Sequence, residues 1–163
     1  MNYSYVIVKF KKPDKLIPAL KDLSKNPSVK EWDAVEGHVN LVIKSEKSPA
    51  SILNQIKMIE GFEKYDIYNV NQECRQAKER DNRLSYAYLF IEIDQKKSEQ
   101  IKKLLIDWEI VYRCESIGNG CDFLVLVGAE TIGQIDTAIK NTLYEADGIL
   151  RFKRADVINL ENI

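Results

Sequence analysis

The only histidine in the chain, His38, sits in the stretch "EGHVNLVI", Glu36 to Ile43. An imidazole titrates near neutral pH and can serve as a general base or a metal ligand. A metal site needs companions, and here there is no second histidine. The three cysteines, Cys74, Cys114 and Cys121, form no CxxC pair. No metal site and no cofactor are therefore expected. As a base, His38 needs an orienting partner that spacing alone does not reveal. Directly after Gly37 and ahead of an apolar run, it fits a turn or interface residue, a reading that needs no partner and is the one preferred. The odd number of cysteines suits free thiols in a reducing, cytoplasmic setting better than a disulfide framework. Cys114 and Cys121 fall on strands expected to be neighbours, where they read as small buried apolar residues.

Composition narrows the classes. The chain has 163 residues, 45% hydrophobic and 30% charged, with a formal net charge of -1. That is enough for one large or two small globular units. Basic and acidic residues are matched along the chain, so direct nucleic-acid binding is not expected. No apolar run approaches the roughly 20 residues that span a bilayer. In "MNYSYVIVKFKK" the charges follow the apolar stretch, the reverse of a secretion signal.

The elements that must position any site come in two copies. "SYVIVKF" from Ser4 resembles "SYAYLFIEI" from Ser85. "VKEWDAVEGHVNLVI" aligns without gaps on "VYRCESIGNGCDFLV", an offset of 82 (111 − 29). Ser48 and Thr131 both suit a helix N-cap, and Ile52 and Ile56 match Ile135 and Ile139. "EGF" at Glu60 resembles "DGI" at Asp147. The predicted domains are 1–70 and 84–163, joined by a polar linker at 71–83.

Each copy reads β-α-β-β-α-β. In the first, strands are predicted at Tyr3–Phe10, Val29–Val35, Val39–Lys44 and within "EKYDIYNV". Leu16, Leu20 and Leu23 mark the first helix, with a late start predicted from Pro18. Ser48 and Pro49 open the second helix, striped by Ile52, Ile56 and Ile59. In the second copy, strands are predicted at Leu84–Ile93, on either side of Gly118–Gly120, and at Ile149–Leu160. Its helices carry Ile101, Leu104, Leu105 and Trp108, then run from Ile132 to Tyr144. This is an α+β, ferredoxin-like order. Strand one is apolar on both sides in each copy. The helices cover one side. The side bearing Tyr3 and Tyr5, or Tyr86 and Tyr88, needs a second cover. Two ferredoxin-like sheets packed as a dimeric α/β barrel supply it, within one chain or between chains.

These residues resemble the ligand-binding, oligomerising domain of the Lrp/AsnC transcription regulators. "PSVKEWDAVEGHVNLVI" follows that family's pattern across strands two and three, with Asn40 where Asp is usual. "IVYRCESIGNGCDFLVL" keeps Asp122 but shifts and doubles the glycines. The helix-turn-helix that reads DNA in that family has no counterpart here. The resemblance implies effector contact at the turns: Gly37, His38 and Asn40 in one copy, Gly118, Asn119, Gly120 and Asp122 in the other. Turn glycines expose N–H groups that can hold a carboxylate, and an Asp or Asn can meet an ammonium group.

The expected function is a non-catalytic, regulatory module that binds an amino-acid-type effector and self-associates as a homodimer or higher assembly. A homologous regulator is a further expected partner. Two alternatives stand beside it. One is a dimeric α/β barrel enzyme of monooxygenase or haem-handling type, using His38 and the barrel tyrosines. The other is an assembly scaffold.

Overall fold

The computed structural model describes residues 3–46, 48–118 and 122–159. The chain divides into two units, Met1–Val70 with Ile158–Ile163, and Asn71–Val157.

In the first unit, β1 (Ser4–Phe10) leads through a short 3-10 turn (Pro13–Lys15) into α1 (Leu16–Ser24). Then come β2 (Val29–Gly37), β3 (Leu41–Ser45), α2 (Ala50–Lys57) and β4 (Phe62–Arg75). The strands pair antiparallel in the order β4-β1-β3-β2. Val6, Val8 and Phe10 alternate along β1 and meet Leu16, Leu20 and Leu23 of α1 and Ile52 and Ile56 of α2. Period 2 in the strand and period 3.6 in the helices thus close one core. Ile59 lies past the end of α2 but packs on the same core.

Two helix starts differ from the sequence expectation. Pro18 does not delay α1, because it occupies the first turn, where N–H groups have no intrahelical partner anyway. Ser48 does not cap α2; Pro49 holds the N-cap position without a side-chain bond, and its carbonyl accepts from Leu53 N at 2.9 Å.

The second unit repeats the antiparallel ferredoxin-like order with β5 (Ser85–Ile93), a 3-10 turn (Gln95–Lys97), α3 (Ser98–Asp107), β6 (Val111–Ile117), β7 (Asp122–Ala129), α4 (Ile132–Thr142) and β8 (Ile149–Val157). Its strand order is β8-β5-β7-β6. Ala87, Leu89, Ile91 and Ile93 share a core with Ile101 and Leu105 of α3 and Ile135 and Ile139 of α4. Thr131 does cap α4. Its Oγ1 accepts from Gln134 N at 3.1 Å, and Gln134 Oε1 accepts from Thr131 N at 3.3 Å, a capping box.

The polar stretch expected as a linker opens as strand. β4 runs on to Arg75, and its Asn71–Arg75 end belongs to the second unit, beside β6. Arg75 Nη1 donates to the carbonyls of Ile106 (3.1 Å) and Trp108 (3.4 Å). Lys78 N donates to Tyr112 O at 2.9 Å. The Arg75 side chain and the Lys78 backbone are anchors, and the segment is a strap over the second unit. No helix among the described residues is long and apolar enough to cross a membrane.

Candidate functional site

In β6 the alternation of sides breaks once. The pairing with β7 shifts register between Val111 and Arg113. A bulge there turns the chain by one residue. Val111 and Cys114 therefore face the helices, within the core cluster. Arg113 and Glu115 face the other way. The ladder sets Arg113 opposite Leu126, and Leu126 opposite Tyr88 of β5, so the three form one row across three strands. Glu115 pairs with Leu124 in the same manner.

This face is apolar and buried around the charges. Leu124 and Leu126 are each 2% exposed, Arg113 8% and Glu115 2%. Arg113 Nε lies 3.3 Å from Glu115 Oε1. Arg113 Nη2 donates to Tyr88 Oη at 3.0 Å, and its guanidinium carbon sits 5.9 Å from the Tyr88 ring centre. A second guanidinium comes from the strap, where Arg80 Nη2 donates to the same Oη at 3.0 Å. Two fixed positive charges thus converge on one phenol oxygen beside a carboxylate. Burying an ion pair costs desolvation that apolar residues of equal volume avoid. Its presence on an apolar sheet face points to a use other than stability.

The neighbouring row explains the shape of this face. Tyr86 lies opposite Gly128, and a Cβ there would come within 2.6 Å of Tyr86 Cε1. The missing side chain lets the ring lie across β7, edge-on to Tyr112 at 5.1 Å. Asp81 N donates to Tyr86 Oη at 2.7 Å. Burial pushes the Tyr86 phenol above the ordinary tyrosine range.

The turn residues singled out from the sequence are placed as follows. Gly37 ends β2 at φ 147°, a conformation that disfavours side chains. His38 follows it, half-buried, with an interacting neighbour. Asn40 is spent on the backbone. Its Oδ1 accepts from Phe10 N at 2.8 Å, its N donates to Val8 O at 2.9 Å, and its carbonyl accepts from Val35 N at 2.9 Å. It ties the reversal to β1. Gly118 has φ 65°, and its carbonyl accepts from Asn71 Nδ2. Asp122 opens β7 opposite Ile117; burial and the nearby Glu92 raise its carboxyl above the usual range. Asn119, Gly120 and Cys121 lie outside the described residues, so the expected approach of Cys114 to Cys121 does too.

Sequence reading passed over Arg113 and Glu115. The signal was available: two opposite charges two residues apart, in a strand whose neighbours are apolar. At the offset of 82, Glu115 also matches Asp33, which β2 places opposite Val42 on the helix-free face of the first sheet.

The fold defined by each unit is ferredoxin-like α+β, with an antiparallel sheet. Solved structures of that fold cover nearly the whole chain. A candidate monooxygenase from Lactobacillus acidophilus superposes with a TM-score of 0.59 at 10% identity, over 97% of this chain and 94% of its own. A candidate monooxygenase from Fusobacterium nucleatum gives 0.57 at 14% identity, over 95% and 89%. An anthrone oxidase-like protein gives 0.51 at 9% identity, over 96% and 90%. A major regulator of staphylococcal pathogenesis is similar as well, at 0.53 and 13% identity, over 98% and 100%. No family model matches the sequence, and no curated protein does.

These neighbours correct the functional expectation. The regulatory effector module of Lrp/AsnC type finds no family match, and the non-enzyme reading meets neighbours named for monooxygenase and oxidase chemistry. At such identities the likeness itself establishes the fold alone.

Proposed function

We propose that this chain is an oxygen-using enzyme of the dimeric α/β barrel type. Its substrate is a small polycyclic phenol or enol of the anthrone class. The observation that carries the reading is the buried Tyr88–Arg113–Glu115 cluster on an otherwise apolar sheet face. The names of the structural neighbours agree with it. Tyr5, Ile7 and Val42 on one helix-free face, and Tyr88, Leu124 and Leu126 on the other, are buried, which supports the barrel type.

The chemistry suits the residues. An anthrone carries an acidic methylene flanked by aromatic rings. Glu115 takes a proton from it, and the negative charge moves to the carbonyl oxygen. Guanidinium groups held in a dry site stabilise such an oxyanion far better than water-exposed ones. Arg113 and Arg80 are placed for that. The electron-rich carbanion then reacts with dioxygen. One oxygen atom becomes the new carbonyl, and the other leaves as water with the two methylene hydrogens.

The test is oxygen uptake with an anthrone, followed together with quinone absorbance. The expected result is one dioxygen consumed per quinone formed, above the uncatalysed rate. Glu115→Gln should lower kcat by roughly 10²–10⁴-fold, the usual worth of a general base. Wild-type protein that gives no rate above background with any anthrone, or a Glu115→Gln variant of unchanged rate, would sink the proposal.

A further inference from the structure

Residues 76–84, which carry Arg80 into the charged cluster, form neither helix nor strand. A guanidinium on such a segment is held only as well as the backbone beneath it. Here a side chain grips that backbone one residue after Arg80. Tyr86 Oη accepts from Asp81 N at 2.7 Å and donates to Asp81 O at 3.2 Å. The second bond needs the protonated phenol, and burial favours that form.

The surroundings of this anchor are set locally. Asp81 Oδ1 accepts from Arg83 N at 2.9 Å, and Asp81 O accepts from Leu84 N at 3.0 Å, which closes the turn into β5. Tyr86 and Tyr88 lie two residues apart in β5, so both rings fall on its helix-free face. Arg80 spans the pair. Its guanidinium carbon is 5.5 Å from the Tyr86 ring centre, and its Nη2 donates to Tyr88 Oη at 3.0 Å. The Tyr86 ring thus carries the guanidinium on its face while its hydroxyl holds the next residue's backbone. Gly128 gives the ring room, and edge-on contact with Tyr112 fixes its plane.

We propose that Tyr86 is a positioning residue for the site: it holds the Arg80 guanidinium on the Tyr88 oxygen through Asp81 and through its own ring face. Its part in turnover rests on the oxyanion reading of Arg80, whereas its hold on Arg80 does not. A donor stabilises developing charge best when its place is fixed before the charge appears. Arg113 is fixed by its strand and by Glu115. Arg80 comes from an irregular segment and takes its place from Tyr86.

The test variant is Tyr86→Phe. It keeps the ring, the fit beside Gly128 and Tyr112 and the face under Arg80, and it removes the hydroxyl alone. The first readout needs no substrate. NMR relaxation of the Arg80 side-chain Nε–H, assigned by its loss in Arg80→Gln, should show the order parameter falling into the flexible range, below about 0.6. The Arg113 Nε–H should keep its wild-type order, which shows the sheet intact. Deuterium exchange of the Asp81 amide should rise roughly 3–10-fold, the worth of one ordinary hydrogen bond.

The second readout is turnover of an anthrone. Tyr86→Phe should lower kcat roughly 10-fold, less than the roughly 10²-fold expected for loss of the donor itself in Arg80→Gln. KM should stay within about twofold, because the interaction lost is one made in the transition state. In an Arg80→Gln background, Tyr86→Phe should lower kcat no further, since a residue that acts through Arg80 has nothing left to place. A merely structural role would lower kcat equally in both backgrounds. That result overturns the proposal, and so does an Arg80 signal as ordered in Tyr86→Phe as in wild type. Wild-type protein without anthrone turnover overturns the enzyme reading instead, and the relaxation and exchange data then decide whether Tyr86 holds Arg80.

Discussion

Replacing Arg113 by methionine removes the guanidinium 3.3 Å from a carboxylate that is only 2% exposed. Methionine fills much of the same volume, so the change is chiefly one of charge. Removing one member of a buried pair costs about 3–5 kcal/mol, because the remaining charge is held away from water. In a chain of this size each kcal/mol moves Tm by about 2–4 °C, so Arg113→Met should melt about 6–20 °C below wild type. The double variant Arg113→Met with Glu115→Leu removes both charges and keeps the volume. Tyr88 retains the Arg80 donor at 3.0 Å. Stability should return to within about 1 kcal/mol of wild type or exceed it. The assay is urea unfolding of all four members of the cycle, with circular dichroism checking the fold. A single-variant cost below about 1 kcal/mol, the range of surface pairs, would refute the reasoning. So would a double variant as unstable as the summed singles, since the two charges would then not be coupled.

Gly128→Ala places a methyl 2.6 Å from Tyr86 Cε1 and 2.7 Å from Cδ1. It should cost about 1–3 kcal/mol as overpacking and weaken the near-ultraviolet tyrosine signal; an unchanged urea midpoint would show that the ring does not lie over β7. Thr131→Ala deletes the Oγ1 acceptor for Gln134 N and leaves the backbone N–H that donates to Gln134 Oε1; it should cost about 1 kcal/mol, with Thr131→Ser recovering most of it. Asp122→Asn tests the sign of a pH effect. Burial raises the folded-state carboxyl of Asp122. Its ionised form is therefore penalised in the folded chain, and wild-type stability falls as pH rises through that range. The variant should be more stable than wild type at neutral pH. The gain should vanish below about pH 4, where the carboxyl is protonated folded or unfolded. A gain that grows on acidification would contradict it.

Much of the fold is legible in the sequence because two periods agree with it. Val6, Val8 and Phe10 alternate, Leu16, Leu20 and Leu23 follow a helix, and all six meet in one core. Thr131 with Gln134 reads as a cap because the bond is local. Ser48 misleads, because its helix starts at Ala50 after an N-cap proline. The turns draw attention by their glycines, yet Asn40 proves to bind backbone at three points, long-range partners that no local pattern encodes. The cluster at Tyr88, Arg113 and Glu115 stays hidden for a similar reason. Which side Arg113 faces depends on a bulge one residue earlier, and a one-residue slip exchanges the two faces of a strand. Arg80 joins it from a segment whose composition alone reads as solvated linker.

The two sheets differ where the chemistry would be. In the second, the helix-free face joins a phenol, two guanidinium groups and a carboxylate. At the same strand positions the first sheet has Ile7 for Tyr88, Glu31 for Arg113 and Asp33 for Glu115. A carboxylate is kept, but the guanidinium on the strand is replaced by a second acid. The first sheet instead sets Lys44 opposite both Glu31 and Tyr5, an ammonium group where the second sheet has a guanidinium paired with a buried carboxylate. Selection for packing alone would keep both faces apolar, since burying charges costs more than burying Leu or Val. With Glu115 as the proposed base, the divergent partner of Asp33 leaves that acid without the same role. That asymmetry also ranks the residues: substitutions at Asp33 should act on stability, and those at Glu115 on turnover.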